Sequence, residues 1–146
     1  MGRGTGPKKA HRAIDLVLFV NGIALGTIEL KQSRVSVSEG IRQTLSNQAE
    51  AFNQRFYSTV QLVFAGNDAE GLRYATIGTP EKFWLTWTED EDADQDRFKL
   101  DKHLLRMYWP DRLIEVCRDF VLFDGGIKKV PRVHLYFGVK AAQEFV

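Results

Sequence analysis

The sequence predicts an α/β fold, a mixed sheet with a helix against one face, and three observations carry that prediction. An apolar hairpin pattern runs from Ile14 to Lys31 about Asn21-Gly22. A helical period begins just after Ser36. Two further short strands flank Gly66-Asn67-Asp68 and Gly71. The length of 146 residues suits one domain with an appendage, and 44% hydrophobic residues can bury a core. The net charge of +1 favours no class of partner.

The first hairpin reads as two strands, 14–20 and 23–31, because Asn-Gly between β-rich runs is the strongest short-range hairpin signal. Both strands are apolar almost throughout, so the hairpin is expected to be central in a sheet covered on both faces. Charge interrupts it at Asp15 and at Glu29-Leu30-Lys31, which an antiparallel pair makes neighbours. Side chains alternate with period 2, so register decides whether these charges meet. A plain two-residue turn pairs Asp15 with Ile28 and sends Glu29 to the opposite face. A three-residue loop with Gly22 in the left-handed region, or one bulge, puts Asp15, Glu29 and Lys31 on one face, and Gly26 is a candidate for that bulge. Two carboxylates within ~5 Å repel unless a cation lies between them. Such oxygen ligands suit Mg²⁺, and a nearby lysine can orient a water or offset charge on a phosphate.

Residues 1–13 are glycine-rich and basic without periodicity and read as a flexible lead-in. Lys8, Lys9 and Arg12 are candidates for phosphate-backbone contacts, which add affinity but no sequence preference. After Lys31, Ser36-Val37-Ser38-Glu39 fits a capping box, with the serine hydroxyl accepting from the Glu39 amide. Ile41, Leu45, Ala49, Phe52 and Phe56 then mark an amphipathic helix over about 39–55. Gln43, Asn47, Glu50 and Gln54 form its polar face, either solvated or turned to DNA.

Residues 59–65 and 72–77 give the next strands and close a second hairpin. Phe83, Trp84 and Trp87 suit either base stacking or packing beneath the following helices, and bulky rings favour packing. The acidic run 89–96 reads as a solvated linker. Short helices are expected at 100–107 and from Pro110 to about Leu122, ended by Asp124-Gly125-Gly126. Cys117 falls on the apolar side of the second and reads as a small hydrophobe. The basic cluster Lys128, Lys129 and Arg132 leads into VHLYFGV, read as a strand or extended segment. A single cysteine excludes an intramolecular disulfide and fits a reducing, cytoplasmic setting, and no long apolar run predicts membrane insertion. His11, His103 and His134 are isolated, without metal-ligand spacing.

Asp15 followed by Glu29-Leu30-Lys31 on adjacent strands resembles the signature of the PD-(D/E)xK nucleases. The wording DLVLFVNGIALGTIELK is more specific and resembles the nuclease domain of the restriction (R) subunit of type I restriction–modification enzymes. That resemblance continues through SEGIRQTLSNQ, STVQLVFAGND, LRYATIGTPEKF and DFVLFDGGIKKVPRVHLYFGVKAAQ. It implies a restriction endonuclease-like mixed sheet with flanking helices over 14–88 and a helical connector over 98–146. It also implies an ATP-driven translocase motor further on; no GxxxxGK[ST] occurs here, so ATP is expected only of that motor. The implied reaction is Mg²⁺-dependent cleavage of double-stranded DNA, with Asp15 and Glu29 on the metal, Lys31 beside the phosphate and Gln43 on the neighbouring helix. The implied partners are modification and specificity subunits. The family commonly carries Gln-x-x-x-Tyr on that helix; Gln43 matches, but Asn47 stands at the tyrosine position. The family fold usually opens with a helix bearing another acidic residue, and none precedes Asp15, so the chain is expected to be truncated at its front. A non-catalytic assembly or DNA-contacting module with the same fold is the alternative.

Overall fold

A computed structural model describes residues 13–49, 53–89 and 98–146. Five strands form one sheet in sequence order: β1 (Leu16–Val20), β2 (Ile23–Leu30), β3 (Leu62–Asn67), β4 (Gly71–Ala75) and β5 (Leu85–Thr86). Only β2 and β3 run parallel; the other neighbours are antiparallel. A parallel pair needs a crossover, and here it contains α1 (Val37–Ala49) and α2 (Gln54–Tyr57). The expected mixed α/β sheet is therefore present. The hairpin's position differs from expectation: β2 is interior, but β1 is an edge strand, with Leu16 50% and Phe19 57% exposed. The fully buried strand is β3.

Alternation along the strands sorts the core into two layers. On one face Ala24, Val63, Ala65 and Ala75 meet Val37 and Ile41 of α1, Tyr57 of α2, and Trp84. On the other, Ile28, Leu62, Phe64, Leu72 and Tyr74 meet Trp87, Met107, Leu113, Val116 and Tyr136. Full burial of a large apolar side chain contributes ~1.5–3 kcal/mol. The second layer is supplied by α3 (Lys99–Met107), α4 (Pro110–Glu115) and α5 (Val133–Glu144). The segment expected as a connector thus covers a face of the sheet. The packing expectation holds for Trp84 and Trp87, whereas Phe83 is 57% exposed.

The start of α1 departs from the expected capping box. Ser36 Oγ accepts from the Ser38 amide at 3.3 Å, while the Glu39 amide donates to the Ser36 carbonyl at 3.0 Å. The carboxylate at the helix start comes from the β3–β4 hairpin: Glu70 Oε1 accepts from the Val37 amide at 3.0 Å. Asn67 fixes that hairpin by accepting from the Glu70 amide at 2.6 Å and donating to the Val35 carbonyl at 2.7 Å. The loop after Lys31 is thereby tied down at a distance. The expected helix positions Glu50 and Phe52, and most of the acidic linker, lie outside the described residues.

Beyond the linker, α4 continues through a π-type turn at Val116–Phe120, closed by Val121 N to Val116 O at 3.1 Å. Leu122–Asp124 (β6) and Ile127–Lys129 (β7) form a small hairpin on Gly125 and Gly126, where only a segment end was expected. The run VHLYFGV is helical in α5, contrary to its strand-like composition. Val133 and Tyr136, three apart, face the core, and the Tyr136 hydroxyl donates to Glu115 at 2.5 Å. Tertiary packing outweighs β propensity there. No helix among the described residues is long and apolar enough to cross a membrane.

Candidate functional site

The Asn21-Gly22 turn is the tight two-residue kind, with φ of 49° and 78° and Val20 opposite Ile23. Glycine accepts the second angle without strain. That turn alone leaves the acidic residues on opposite faces. One bulge restores them: Phe19 pairs with Ala24 and Leu18 with Gly26, so Leu25 is the extra residue. Gly26, the candidate from sequence, adjoins the bulge, and a Cβ there would make only ordinary contacts. Below the bulge Leu16 faces Ile28 and Val17 faces Thr27, so the register continues to Asp15 opposite Glu29. Asp15 Oδ2 accepts from the Leu30 amide at 2.8 Å, which holds it against the end of β2.

Glu29 is 1% exposed and points beneath α1. Its Oε1 accepts from Asn47 Nδ2 at 3.3 Å, while Oε2 is buried without a donor. Burial, then repulsion from Asp15, pushes its carboxyl from 4.5 up to about 7, with the Lys31 ammonium pulling the other way. Lys31 leaves the strand on the same face, its amide bonded to the Gly66 carbonyl at 2.9 Å. Its Nζ donates to Gln43 Oε1 at 2.5 Å. The lysine stem runs past Gly40, where a Cβ would lie 3.5 Å from Lys31 Cγ and 3.2 Å from Ala65 Cβ. Gly40 therefore lets α1 approach the end of β2 closely.

Four residues expected from sequence, Asp15, Glu29, Lys31 and Gln43, are thus brought together. Lys8, Lys9 and Arg12 lie outside the described residues. The polar stripe on α1 is neither solvated nor free for DNA at its centre: Asn47 has no exposed surface and contacts Glu29. Tyr57 was not foreseen; it is 4% exposed, and burial followed by Glu29's charge raises its phenol to about 12, so it stays protonated. Thr27 and Asn47 lie against that phenol and pull it the other way, and Thr27 Oγ1 and Asn47 Oδ1 are buried oxygens. Only an alternation count from Glu29 could have flagged Thr27 in advance.

Other candidates carry less. Among the described residues no group of three or more His, Cys, Asp or Glu side chains is arranged to hold a metal ion. Burial lifts the Cys117 thiol to about 11, which suits a packing residue rather than a nucleophile. His103 is buried, its Nδ1 accepting from the Leu72 amide at 3.0 Å.

Residues 5–82, just over half the chain, match the protein family described as the type I restriction enzyme R protein N terminus. No curated protein matches the chain. The matched stretch contains the Asp15 strand, Glu29, Lys31 and the whole of α1. The resemblance read from sequence beyond residue 82 lies outside it.

Proposed function

The chain belongs to the family of the type I restriction enzyme R protein N terminus, and from that premise we propose that it is a DNA-cleaving domain of PD-(D/E)xK type. Its reaction is Mg²⁺-dependent hydrolysis of phosphodiester bonds in double-stranded DNA, in a cytoplasmic complex with modification and specificity subunits. The carrying observation is the Leu25 bulge, which sets Asp15 opposite Glu29 with Lys31 two residues on.

The donor set fits a hard dication. Glu29 Oε2 is a buried carboxylate oxygen without a donor, on the face it shares with Asp15. Bound there, Mg²⁺ would supply charge stabilisation and a more acidic water. Asp15 keeps one oxygen on the Leu30 amide, and its carboxyl lies against that of Glu29. Lys31 places a cation at the open end of the pair, and Gln43 holds its amine in one position. That ammonium offsets charge developing on a phosphate, the largest kind of contribution a fixed side chain makes to such a reaction. The Tyr57 phenol stays a neutral donor at the pH of the reaction.

The test uses the assembled enzyme and supercoiled plasmid. Asp15→Ala, Glu29→Ala and Lys31→Ala should each abolish nicking while ATP hydrolysis persists. Cleavage retained by the Glu29 variant would overturn the assignment. A second reading, a non-catalytic module on the same fold, draws on the absence of a group of three ligand-type side chains among the described residues. It predicts no Mn²⁺ binding by this chain.

A further inference from the structure

Asn47 sits on α1 one turn past Gln43, with no exposed surface. A buried polar group short of partners is unfavourable, and a leucine would fill nearly the same space without that penalty. The amide's polar contacts show where its chemistry goes. Nδ2 donates to Glu29 Oε1 at 3.3 Å, while Oδ1 is buried. The reverse orientation would set two oxygens against each other. The Asn47 backbone carbonyl accepts from Asn53 Nδ2 at 3.0 Å, which anchors the end of α1 where the side-chain amide projects.

Neutrality matters as much as the bond. Asp15 already stands opposite Glu29 in the hairpin register, so a third carboxylate at this position would add repulsion. An amide donor engages one oxygen of Glu29 and adds no charge. The other oxygen has no donor and lies on the face shared with Asp15, against that residue's carboxyl.

We infer that Asn47 is a positioning residue: its amide fixes the Glu29 carboxylate so that Oε2 is presented, with Asp15, to a divalent cation. The inference rests on the proposed reading of Asp15 and Glu29 as the ligand pair, and it states how one member is aimed. Outer contacts of this kind typically change metal affinity 10–100-fold when removed.

The experiment is calorimetric titration of Mn²⁺ into the 146-residue chain, with a thermal melt for every variant. Asn47→Leu keeps the volume and deletes the donor, and Asn47→Ala deletes both. Both should weaken Mn²⁺ binding ~10–100-fold, with Asn47→Leu melting no lower than the parent chain. Glu29→Gln should abolish binding. An Asn47→Leu variant that folds and binds Mn²⁺ as the parent does, beside a Glu29→Gln variant that does not bind, would overturn the positioning role and leave the ligand pair standing. Undiminished binding by Glu29→Gln, or none by the parent chain, would remove the ligand pair and the inference with it. A purely structural role predicts lowered melting temperatures at unchanged Mn²⁺ affinity. Failure of both Asn47 variants to fold would make the residue a determinant of folding and overturn the inference.

Discussion

Glu29→Gln should stabilise this protein in alkaline, metal-free solution, a sign opposite to that of most substitutions at buried polar positions. The carboxyl is raised from 4.5 to about 7, first by burial and then by Asp15. Each tenfold change in proton affinity corresponds to ~1.4 kcal/mol, so ionising Glu29 in the folded state costs about 3 kcal/mol more than in the unfolded chain. A carboxyl raised in this way favours folding fully below its unfolded value, and the benefit is lost as pH rises towards about 7. Glutamine keeps the shape and the Asn47 neighbour but cannot ionise. The stability of Glu29→Gln relative to the parent should therefore climb between pH 4.5 and 7 and level off above, reaching ~1–3 kcal/mol. Urea unfolding at pH 4, 6 and 8 in EDTA, followed by tryptophan fluorescence, measures it. A constant difference across that range would show that Glu29 is not held against its charge, and the argument for a strained acid pair would fail.

Three further outcomes follow from the fold. Gly40→Ala should impair cleavage more than stability: its Cβ crowds Ala65 and the Lys31 stem, and overpacking of ~1–3 kcal/mol is partly offset by ~1 kcal/mol of helix propensity; nicking assays with parallel melts separate the two. Gly71→Ala should be severe, because φ is +85° and the new Cβ would lie 2.5 Å from His103 Nδ1; a loss of ~3 kcal/mol or more by urea unfolding is expected. Glu70→Ala should cost ~1 kcal/mol by removing the carboxylate that accepts from the Val37 amide, seen as a lower urea midpoint at unchanged slope.

The legible parts of this molecule are those governed by local rules. Asn-Gly announced the hairpin, and counting side-chain parity showed that either a three-residue loop or a bulge was required for Asp15 and Glu29 to meet; the structure takes the bulge. Its position at Leu25 was not legible, because backbone register there depends on β1, β2 and β3 together. Asn47 was ambiguous because a polar residue on an amphipathic helix looks solvated until its neighbour is known to be a buried acid. The misreading of 133–139 has another cause. Val133, Tyr136 and Phe137 belong to types that favour strands, yet Val133 and Tyr136 serve as one face of a helix against Trp87 and Phe120. The hairpin at Gly125-Gly126 carried its own turn signal, and its exposed three-residue strands were too short to show alternation.

The single parallel pair in the sheet sets the order in which the site can come into being. Asp15, Glu29, Lys31, Gln43 and Asn47 all lie within one continuous stretch of sequence, and the β1–β2 hairpin can close early because its contacts are local. The Lys31 amide bonds to the Gly66 carbonyl, and α1 packs on Ala65, so both depend on β3 closing a long loop against β2. Non-local closure is the slow kind of step in folding. During synthesis the acidic pair can meet as soon as the hairpin forms, but its lysine and its helix are fixed only after the chain has been made through β3. A nascent chain therefore carries the residues of the proposed site well before it can hold them in their folded arrangement.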